Sequence, residues 1–65
     1  MHYTINGQNE EHEATTLLAL LGERGNDPAK VVVELNGQII PRDRYAATTL
    51  NEGDSLELVQ FVGGG

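Results

Sequence analysis

The sequence predicts an α+β fold, in which one main helix packs on one face of a mixed sheet of four to five strands. Apolar and polar residues alternate near both ends of the chain, which is typical of half-buried strands. A leucine-rich segment with helical spacing lies between them, and two Asn-Gly pairs indicate tight turns. With 65 residues, the chain is long enough for one domain.

The N-terminal segment predicts a β-hairpin. Residues 1–6 form the first expected strand, with the odd-numbered side chains on one face. Asn6-Gly7 favours a two-residue turn, because both of its positions need positive φ. Residues 8–13 then return as a polar strand, whose charged side chains are typical of a sheet edge, since they discourage pairing with other chains.

A helix is predicted next. Thr15 or Thr16 is the expected N-cap, since a side-chain oxygen there can accept a hydrogen bond from a free backbone N–H group. The leucines that follow predict one apolar stripe against the sheet; they are Leu17, Leu18, Leu20 and Leu21. Gly22 or Gly25 is expected to end the helix, and a turn should follow at Asn26-Asp27-Pro28.

A second hairpin is predicted in the middle of the chain. Residues 31–35 are β-branched and almost continuously apolar, which favours a more central strand. Asn36-Gly37 predicts the tight turn, and Ile39-Ile40 a short return strand that ends at Pro41. The sheet therefore gains two strands after the helix.

The remaining sequence predicts the last strand. A single helical turn is expected at residues 43–47 and a turn at residues 51–54, after which residues 55–61 alternate as a strand. The predicted order is strand, strand, helix, strand, short strand, strand. One helix can then cover only one face of the sheet.

Composition narrows the classes of function. The chain contains no cysteine, which excludes disulfides, thiolate catalysis and thiolate zinc sites. Because small secreted domains usually need disulfides, we expect a cytoplasmic protein. The net charge of −6 argues against binding to nucleic acid, whose phosphates need clustered Lys and Arg. No apolar stretch is long enough to cross a bilayer, and we expect a monomer.

The residues do not predict an enzyme. No glycine-rich phosphate-binding loop occurs, so the chain itself should hold no nucleotide. His2 and His12 are not at metal-ligand spacing, although they could meet across the first hairpin. No nucleophile–base pair is visible, and a domain of this size has little core to spare for a deep cleft. The sequence therefore favours a binding or carrier module.

The chain ends in three glycines directly after an apolar strand. Because Gly63, Gly64 and Gly65 have no side chain to pack, we predict a folded domain at residues 1–62 and a flexible tail at residues 63–65. An unbranched end can thread its α-carboxylate into a narrow site on another protein. We therefore predict that the C-terminal carboxylate is the reactive group; the alternative is an inert glycine end.

Two apolar residues of the last strand are candidate docking residues. Since Leu56 and Leu58 should face the helix, Val59 and Phe61 should lie on the open face beside the tail. Exposed apolar residues at that point indicate a surface for a partner, although single apolar residues are common on any surface.

Arg42 and Arg44 stand out in an acidic chain. They can pair with Asp43 or Asp54 within the fold, or with an acidic residue of a partner. Asp54 follows Gly53 in a predicted turn, where a carboxylate typically caps the local backbone.

Two segments and the C-terminal ending resemble one known family. They are Leu35-Asn36-Gly37-Gln38-Ile39-Ile40-Pro41-Arg42, Leu50-Asn51-Glu52-Gly53-Asp54 with Leu56-Glu57-Leu58-Val59, and Phe61-Val62-Gly63-Gly64-Gly65. Together they resemble the sulfur carriers of thiamine biosynthesis, the ThiS family, over essentially the whole chain. The resemblance implies a ubiquitin-like β-grasp fold, with the first and last strands parallel in the middle of the sheet. An aromatic residue, often Trp, is common after the Pro-Arg pair; here it is Tyr45.

The resemblance implies a protein cosubstrate that is not itself an enzyme. An adenylating partner of the ubiquitin-activating type, using ATP and magnesium, would activate the carboxylate of Gly65. Sulfur from a donor such as a cysteine desulfurase would then leave a thiocarboxylate there, while Gly63 and Gly64 thread the partner's channel. A thiazole synthase would accept the sulfur. The alternatives are a carrier for another pathway (molybdopterin, cysteine or methionine, or a secondary metabolite) and a ubiquitin-like protein modifier.

Overall fold

The computed structural model describes residues 1–62, so the predicted tail at residues 63–65 lies outside the described residues. The strands are β1 (His2–Ile5), β2 (Gln8–Glu11), β3 (Val31–Leu35), β4 (Gln38–Ile40) and β5 (Ser55–Gln60), and the helix α1 spans Leu17–Arg24. Two short 3₁₀ helices lie at Pro28–Lys30 and Arg42–Arg44. Among these residues the strands form one mixed sheet in the order β2-β1-β5-β3-β4, which confirms the predicted α+β class.

The last strand occupies the centre of the sheet. β5 pairs in parallel with β1, where Thr4 lies opposite Ser55 and Ile5 opposite Leu56. On its other side it pairs antiparallel with β3. This is the arrangement that the family resemblance implies. β3 is an interior strand, as its apolar sequence predicts, and the polar β2 lies at the edge.

Both hairpins turn at their Asn-Gly pairs. The φ angles are 52° and 80° at Asn6 and Gly7, and 49° and 86° at Asn36 and Gly37. Positive φ at both central residues is what a type I′ turn requires, and its twist matches that of the strands it joins. Asn tolerates the left-handed region and Gly enters it without a steric penalty, so the two turns follow from local sequence.

The side chains of the turn asparagines also bind β5. The Asn6 amide accepts a hydrogen bond from the Leu58 N–H (2.8 Å) and donates one to the Leu58 carbonyl (3.2 Å). Asn36 accepts one from the Ser55 N–H at 2.9 Å. Each turn is therefore attached to the central strand as well as to its own hairpin.

The core lies between the sheet and α1. Its buried residues are Tyr3, Ile5, Ala14, Leu17, Leu20, Leu21, Val31, Val33, Tyr45, Leu50, Leu56 and Leu58. The predicted stripe was wrong in one position, because Leu18 is 40% exposed. Successive residues are 100° apart around a helix, so Leu18 points away from the face shared by Leu17 and Leu21.

Two buried tyrosines find partners for their hydroxyl groups. Tyr45 donates a hydrogen bond to the Val31 carbonyl (2.9 Å), and Tyr3 donates one to the Ala14 carbonyl (2.6 Å). A buried hydroxyl without a partner would cost free energy. Tyr45, the aromatic residue that follows the Pro-Arg pair, therefore belongs to the core.

The ends of α1 resolve the alternatives that the sequence left open. Thr16 is the N-cap, and its hydroxyl accepts a hydrogen bond from the Ala19 N–H at 3.3 Å. Gly25 ends the helix with a left-handed φ of 74°, and its N–H donates to the carbonyl of Gly22. Gly22 itself lies within the helix, where an added Cβ would meet no atom within 4 Å.

Several predicted element bounds were wrong, and the strands predicted at residues 1–6 and 55–61 are His2–Ile5 and Ser55–Gln60. The strand predicted at residues 8–13 ends at Glu11, although the His12 N–H still donates a hydrogen bond to the Met1 carbonyl at 2.8 Å. The helical turn predicted at residues 43–47 is the 3₁₀ helix Arg42–Arg44. Asp27, placed in a simple turn by the sequence, instead caps a 3₁₀ helix by accepting a hydrogen bond from the Ala29 N–H at 2.9 Å.

An ionic network fastens the edge strand β2 to α1. The Arg24 guanidinium donates two hydrogen bonds to the Glu10 carboxylate, at 3.0 Å and 3.1 Å. His12 lies between Glu10 (2.7 Å) and Glu23 (3.0 Å). The hydrogen bonds from Arg24, and secondly from His12, lower the pKa of Glu10 from 4.5 to about 2. The network therefore favours the folded state most when Glu10 is ionised.

We predict that this network makes stability depend on pH. Because folding lowers the pKa of Glu10 from 4.5 to about 2, the stabilisation is complete above pH 4.5 and is lost as the pH falls towards 2. Glu10→Gln should lower the free energy of unfolding by about 1–2 kcal/mol at pH 7, and by far less near pH 2. Urea unfolding followed by circular dichroism measures both values.

Glu13→Gln is the matched control, since it removes the same charge from an exposed position that forms no ion pair with the described residues. It should leave the free energy of unfolding unchanged. An equal loss for Glu10→Gln at both pH values would contradict the account.

Candidate functional site

β5 leads the chain out of the fold at Gln60, and two hydrogen bonds fix this point, which we call the tail exit. The Phe61 N–H donates to the carbonyl of Lys30 at 2.7 Å. The Asn26 amide donates to the Gln60 side-chain oxygen at 2.8 Å and accepts a hydrogen bond from Arg24 at 2.6 Å. The tail exit is therefore attached both to the end of α1 and to the start of β3.

The exposed residues of β5 lie where the alternation predicts. Leu56 and Leu58 are buried against α1, whereas Val59 and Phe61 are 57% and 53% exposed. Val62, the last described residue, is 92% exposed. Apolar side chains therefore lie on the open face of the sheet directly before the tail. The role of Val59 and Phe61 as docking residues stays a prediction.

The sheet register adds two apolar residues to this surface. Val32 lies opposite Val59 in the ladder, and opposite residues share a face of the sheet. Ile39 lies opposite Glu34, which is two residues from Val32 and so on the same face. Ile39 is 62% exposed. We call Val32, Ile39, Val59 and Phe61 the open-face patch.

The sequence pattern does not identify Val32 and Ile39 as members of the open-face patch. Their hydrophobicity predicts strands equally well on either face, and only the pairing of β3 with its two neighbours assigns them to the open one. Along the last strand, the alternation of apolar and polar residues predicts the face on which Val59 and Phe61 lie. No local sequence pattern predicts which faces of neighbouring strands coincide.

The predicted ion pairs of Arg42 and Arg44 with Asp43 or Asp54 are absent from the part of the chain that the structure describes. Arg42 instead donates a hydrogen bond to the Pro28 carbonyl at 3.0 Å. Asp54 caps its turn as predicted, because its carboxylate accepts a hydrogen bond from the Asn51 N–H at 2.8 Å.

The two histidines do not form a common site. His2 lies 3.2 Å from the Glu52 carboxylate, whereas His12 lies between Glu10 and Glu23. The expectation that they could meet across the hairpin was wrong, because each ring faces carboxylates of its own. Hydrogen bonds from the backbone N–H and then the ring of His2 hold the pKa of Glu52 below its ordinary value.

The described residues offer a surface and not a cleft. Residues 1–62 contain no pocket and no cluster of three or more His, Cys, Asp or Glu side chains that could hold a metal ion. None of their helices is long and apolar enough to span a membrane. The features that remain are the open-face patch and the tail exit, both of which suit contact with another macromolecule.

The fold and this surface define a class of protein. A mixed sheet with parallel first and last strands at its middle, and one helix on one face, is a ubiquitin-like β-grasp domain. A sequence model of the ThiS family matches residues 2–65. The chain belongs to the ThiS family.

Solved structures agree with this assignment. The crystal structure of the thiamine biosynthesis protein ThiS from Geobacter metallireducens superimposes with a TM-score of 0.82, at 33% identity and with both chains covered completely. The solution structure of a thiamine biosynthesis protein from the same organism gives a TM-score of 0.79 at 35% identity, covering all of this chain and 88% of the other.

Relatives of known name fall into two groups. The sulfur carrier protein ThiS of Bacillus subtilis is 35% identical over 63 residues, which cover 94% of this chain and 96% of that protein. The thiazole synthases of Paramagnetospirillum magneticum and Magnetococcus marinus are 48% and 44% identical over 66 residues. These cover 100% of this chain but only 20% of each synthase, so the chain spans about one fifth of their length.

We predict that Asn26 holds the tail exit in place. Asn26→Ala removes the hydrogen bond to Gln60, which should cost about 1 kcal/mol of local stability. The Phe61 amide hydrogen should then exchange about fivefold faster, since its own bond to Lys30 opens more often. Hydrogen exchange measured by NMR tests this.

Asn9→Ala is the control, because the structure gives the exposed Asn9 side chain no hydrogen bond within residues 1–62. It should leave the exchange of the Phe61 amide unchanged. An Asn26→Ala variant with wild-type exchange at Phe61 would show that the bond to Gln60 does not hold the exit.

Proposed function

We propose that this chain is a sulfur carrier, whose Gly65 carboxylate is adenylated and then converted to a thiocarboxylate that supplies sulfur for the thiazole ring of thiamine. The observation that carries the proposal is the position of the exposed Val59 and Phe61 at the end of a strand that leads directly into the glycine tail. Membership of the ThiS family and the similarity to the sulfur carrier protein ThiS of Bacillus subtilis support it.

The chemistry explains why the carboxylate needs a partner. A free carboxylate does not react with a sulfur nucleophile, because oxide would have to leave. Transfer of AMP from ATP breaks the bond between the α- and β-phosphates, releases pyrophosphate and gives an acyl-adenylate at Gly65. A persulfide sulfur then attacks the carbonyl carbon and AMP leaves. A thiol reduces the resulting acyl disulfide, which releases the thiocarboxylate. ATP and magnesium belong to the activating partner in this proposal.

The acceptor is proposed to be a thiazole synthase. Two thiazole synthases contain a segment similar to this whole chain within a polypeptide about five times as long. Joining two modules in one polypeptide raises their effective concentration for each other, which is useful when one delivers a group to the other. That arrangement supports the same pairing here. A cysteine desulfurase is the proposed source of the persulfide, and the cytoplasm is the proposed compartment.

The open-face patch is proposed to dock the activating partner. Val59 and Phe61 are its centre, because they are the exposed apolar residues nearest the tail exit, and Val32 and Ile39 extend it across the sheet. Burying an exposed aromatic side chain against a partner contributes strongly to binding. Docking there would place the tail at the partner's channel, where Gly63 and Gly64 are proposed to enter.

The first prediction for this function concerns the tail. Gly64→Val adds a branched side chain next to the reacting carbonyl, where alignment of the reacting atoms within about 3–3.5 Å is required. The variant should be adenylated about 100-fold more slowly by the activating partner, since small misplacements cost about that factor. Exchange of labelled pyrophosphate into ATP measures the rate.

Gly22→Val is the matched control, because a Cβ at Gly22 meets no atom within 4 Å and the residue has no left-handed φ. It should be adenylated at the wild-type rate. Equal rates for Gly64→Val and wild type would contradict the role proposed for the tail.

The second prediction concerns the patch. Phe61→Ser should weaken binding to the activating partner about tenfold and change the free energy of unfolding by less than about 0.5 kcal/mol, because the side chain is exposed in the isolated domain. Titration calorimetry and urea unfolding measure the two quantities.

Leu18→Ser provides the comparison. Leu18 is also a partly exposed apolar residue, but it lies on α1, on the opposite side of the sheet from the patch. It should leave binding unchanged. A Phe61→Ser variant that loses more stability than affinity would assign Phe61 to the fold and not to docking.

A further inference from the structure

The cations of this chain are distributed unevenly. The chain has four Lys and Arg residues and ten Asp and Glu residues. Arg24 is bound by Glu10. The other three cations are exposed, and none of them forms an ion pair with a carboxylate among residues 1–62. We call Lys30, Arg42 and Arg44 the basic rim.

The basic rim is carried by segments that flank the tail exit. The Lys30 carbonyl accepts the hydrogen bond from the Phe61 N–H at 2.7 Å. Arg42 donates to the carbonyl of Pro28 at 3.0 Å, two residues before Lys30, and two residues span at most about 7 Å. Arg44 ends the same short 3₁₀ helix that Arg42 begins. The three cations are therefore grouped on the β3–β4 side of the tail exit.

Few acidic residues lie close enough to the basic rim to offset its positive charge. Asp27 and Asp43 lie in the same two segments, and the Asp27 carboxylate already accepts a hydrogen bond from the Ala29 N–H. Of the other eight acidic residues, Glu10 lies on the α1 side of the tail exit, where it pairs with Arg24, the one remaining Lys or Arg. Among these, Glu34 and Glu57 lie directly opposite each other in the ladder, on the open face. With Asp27 and Asp43 counted, the β3–β4 side of the tail exit has a net charge of +1 (three cations and two acids), and the remainder has −7 (one cation and eight acids).

We propose that the basic rim docks on an acidic protein surface that surrounds the channel mouth of the activating partner, and that it orients the carrier with its tail first. This inference rests on the proposed function, because it concerns the partner that receives the tail. An acidic mouth attracts the basic rim, so encounters begin with the tail towards the channel, whereas the open face, which carries Glu34 and Glu57, would meet a part of the partner outside that acidic mouth. A basic mouth would attract the acidic side first.

The position of the rim favours a protein surface over the phosphates of the nucleotide. Phe61, whose N–H binds the Lys30 carbonyl, precedes the reacting Gly65 by four residues. A group that stabilises the adenylate must lie at the reacting carboxylate. The rim lies at the base of the tail, where the outer surface of a partner would meet the domain.

The test compares charge changes of equal size at two places. Lys30→Gln and Arg44→Gln each remove one positive charge from the rim, and no hydrogen bond to either side chain occurs within residues 1–62. Gln38→Glu lowers the net charge by the same amount at an exposed position at the start of β4, remote from the tail exit. Stopped-flow mixing with the purified activating partner gives association rate constants at low and high salt, and urea unfolding confirms that each variant is folded.

Lys30→Gln and Arg44→Gln should each associate about threefold more slowly at about 20 mM salt, and the double variant about tenfold more slowly; the differences should vanish near 0.5 M salt because the charges are screened. Gln38→Glu should change the rate less than twofold. The KM of adenylation should rise for the double variant while kcat at saturating carrier stays unchanged, since only the encounter is affected.

Two results would overturn the proposal. If the single rim variants and Gln38→Glu slow association equally, the association rate depends on net charge alone, and the position of the rim has no effect on it. If the rim variants lower kcat with an unchanged association rate, the cations act on the nucleotide. Failure of the proposed function is distinguishable, because a wild-type chain that binds the partner but is never adenylated still gives the comparison of association rates.

Discussion

The structure depends most on the pairing of β5 with two strands at once. Its parallel ladder with β1 and its antiparallel ladder with β3 bring the two ends of the chain into the centre of one sheet. A parallel pair cannot be closed by a tight turn, so the chain between β1 and β5 must pass over one face of the sheet, which it does at α1. The buried leucines of α1 cover the face that this crossover encloses. The Asn6 side chain extends the contact by binding both backbone groups of Leu58.

This central position determines what the end of the chain presents. A central strand cannot shift its register without moving its buried residues to solvent, so Leu56 and Leu58 hold the strand while Val59 and Phe61 face outwards. The hydrogen bonds of Gln60 and Phe61 then fix the direction in which the chain leaves the sheet. The folded part is proposed to position the tail and to offer a docking surface, and the reactive group is proposed to be the terminal carboxylate alone.

The sequence predicted what depends on neighbouring residues. Both Asn-Gly turns, the Thr16 cap and the faces of β5 follow from local sterics and from a period of two. Three features depend on contacts distant in sequence, and no local pattern contains them: Ile39 in the open-face patch, the Arg24–Glu10 ion pair, and the bond between Asn26 and Gln60. The central parallel pair was expected only from the family resemblance, and the docking and tail roles remain predictions.

The central claim is that the chain carries sulfur on its last residue, and intact-mass spectrometry tests it most directly. The chain is incubated with the activating partner, ATP, magnesium, a cysteine desulfurase with cysteine, and a thiol. The account predicts a mass gain equal to the replacement of one oxygen by one sulfur, which fragmentation assigns to Gly65. An unmodified carboxylate, under conditions that convert the Bacillus subtilis relative with its own partner, would contradict the claim. Isopeptide adducts between Gly65 and lysines would instead indicate a protein modifier.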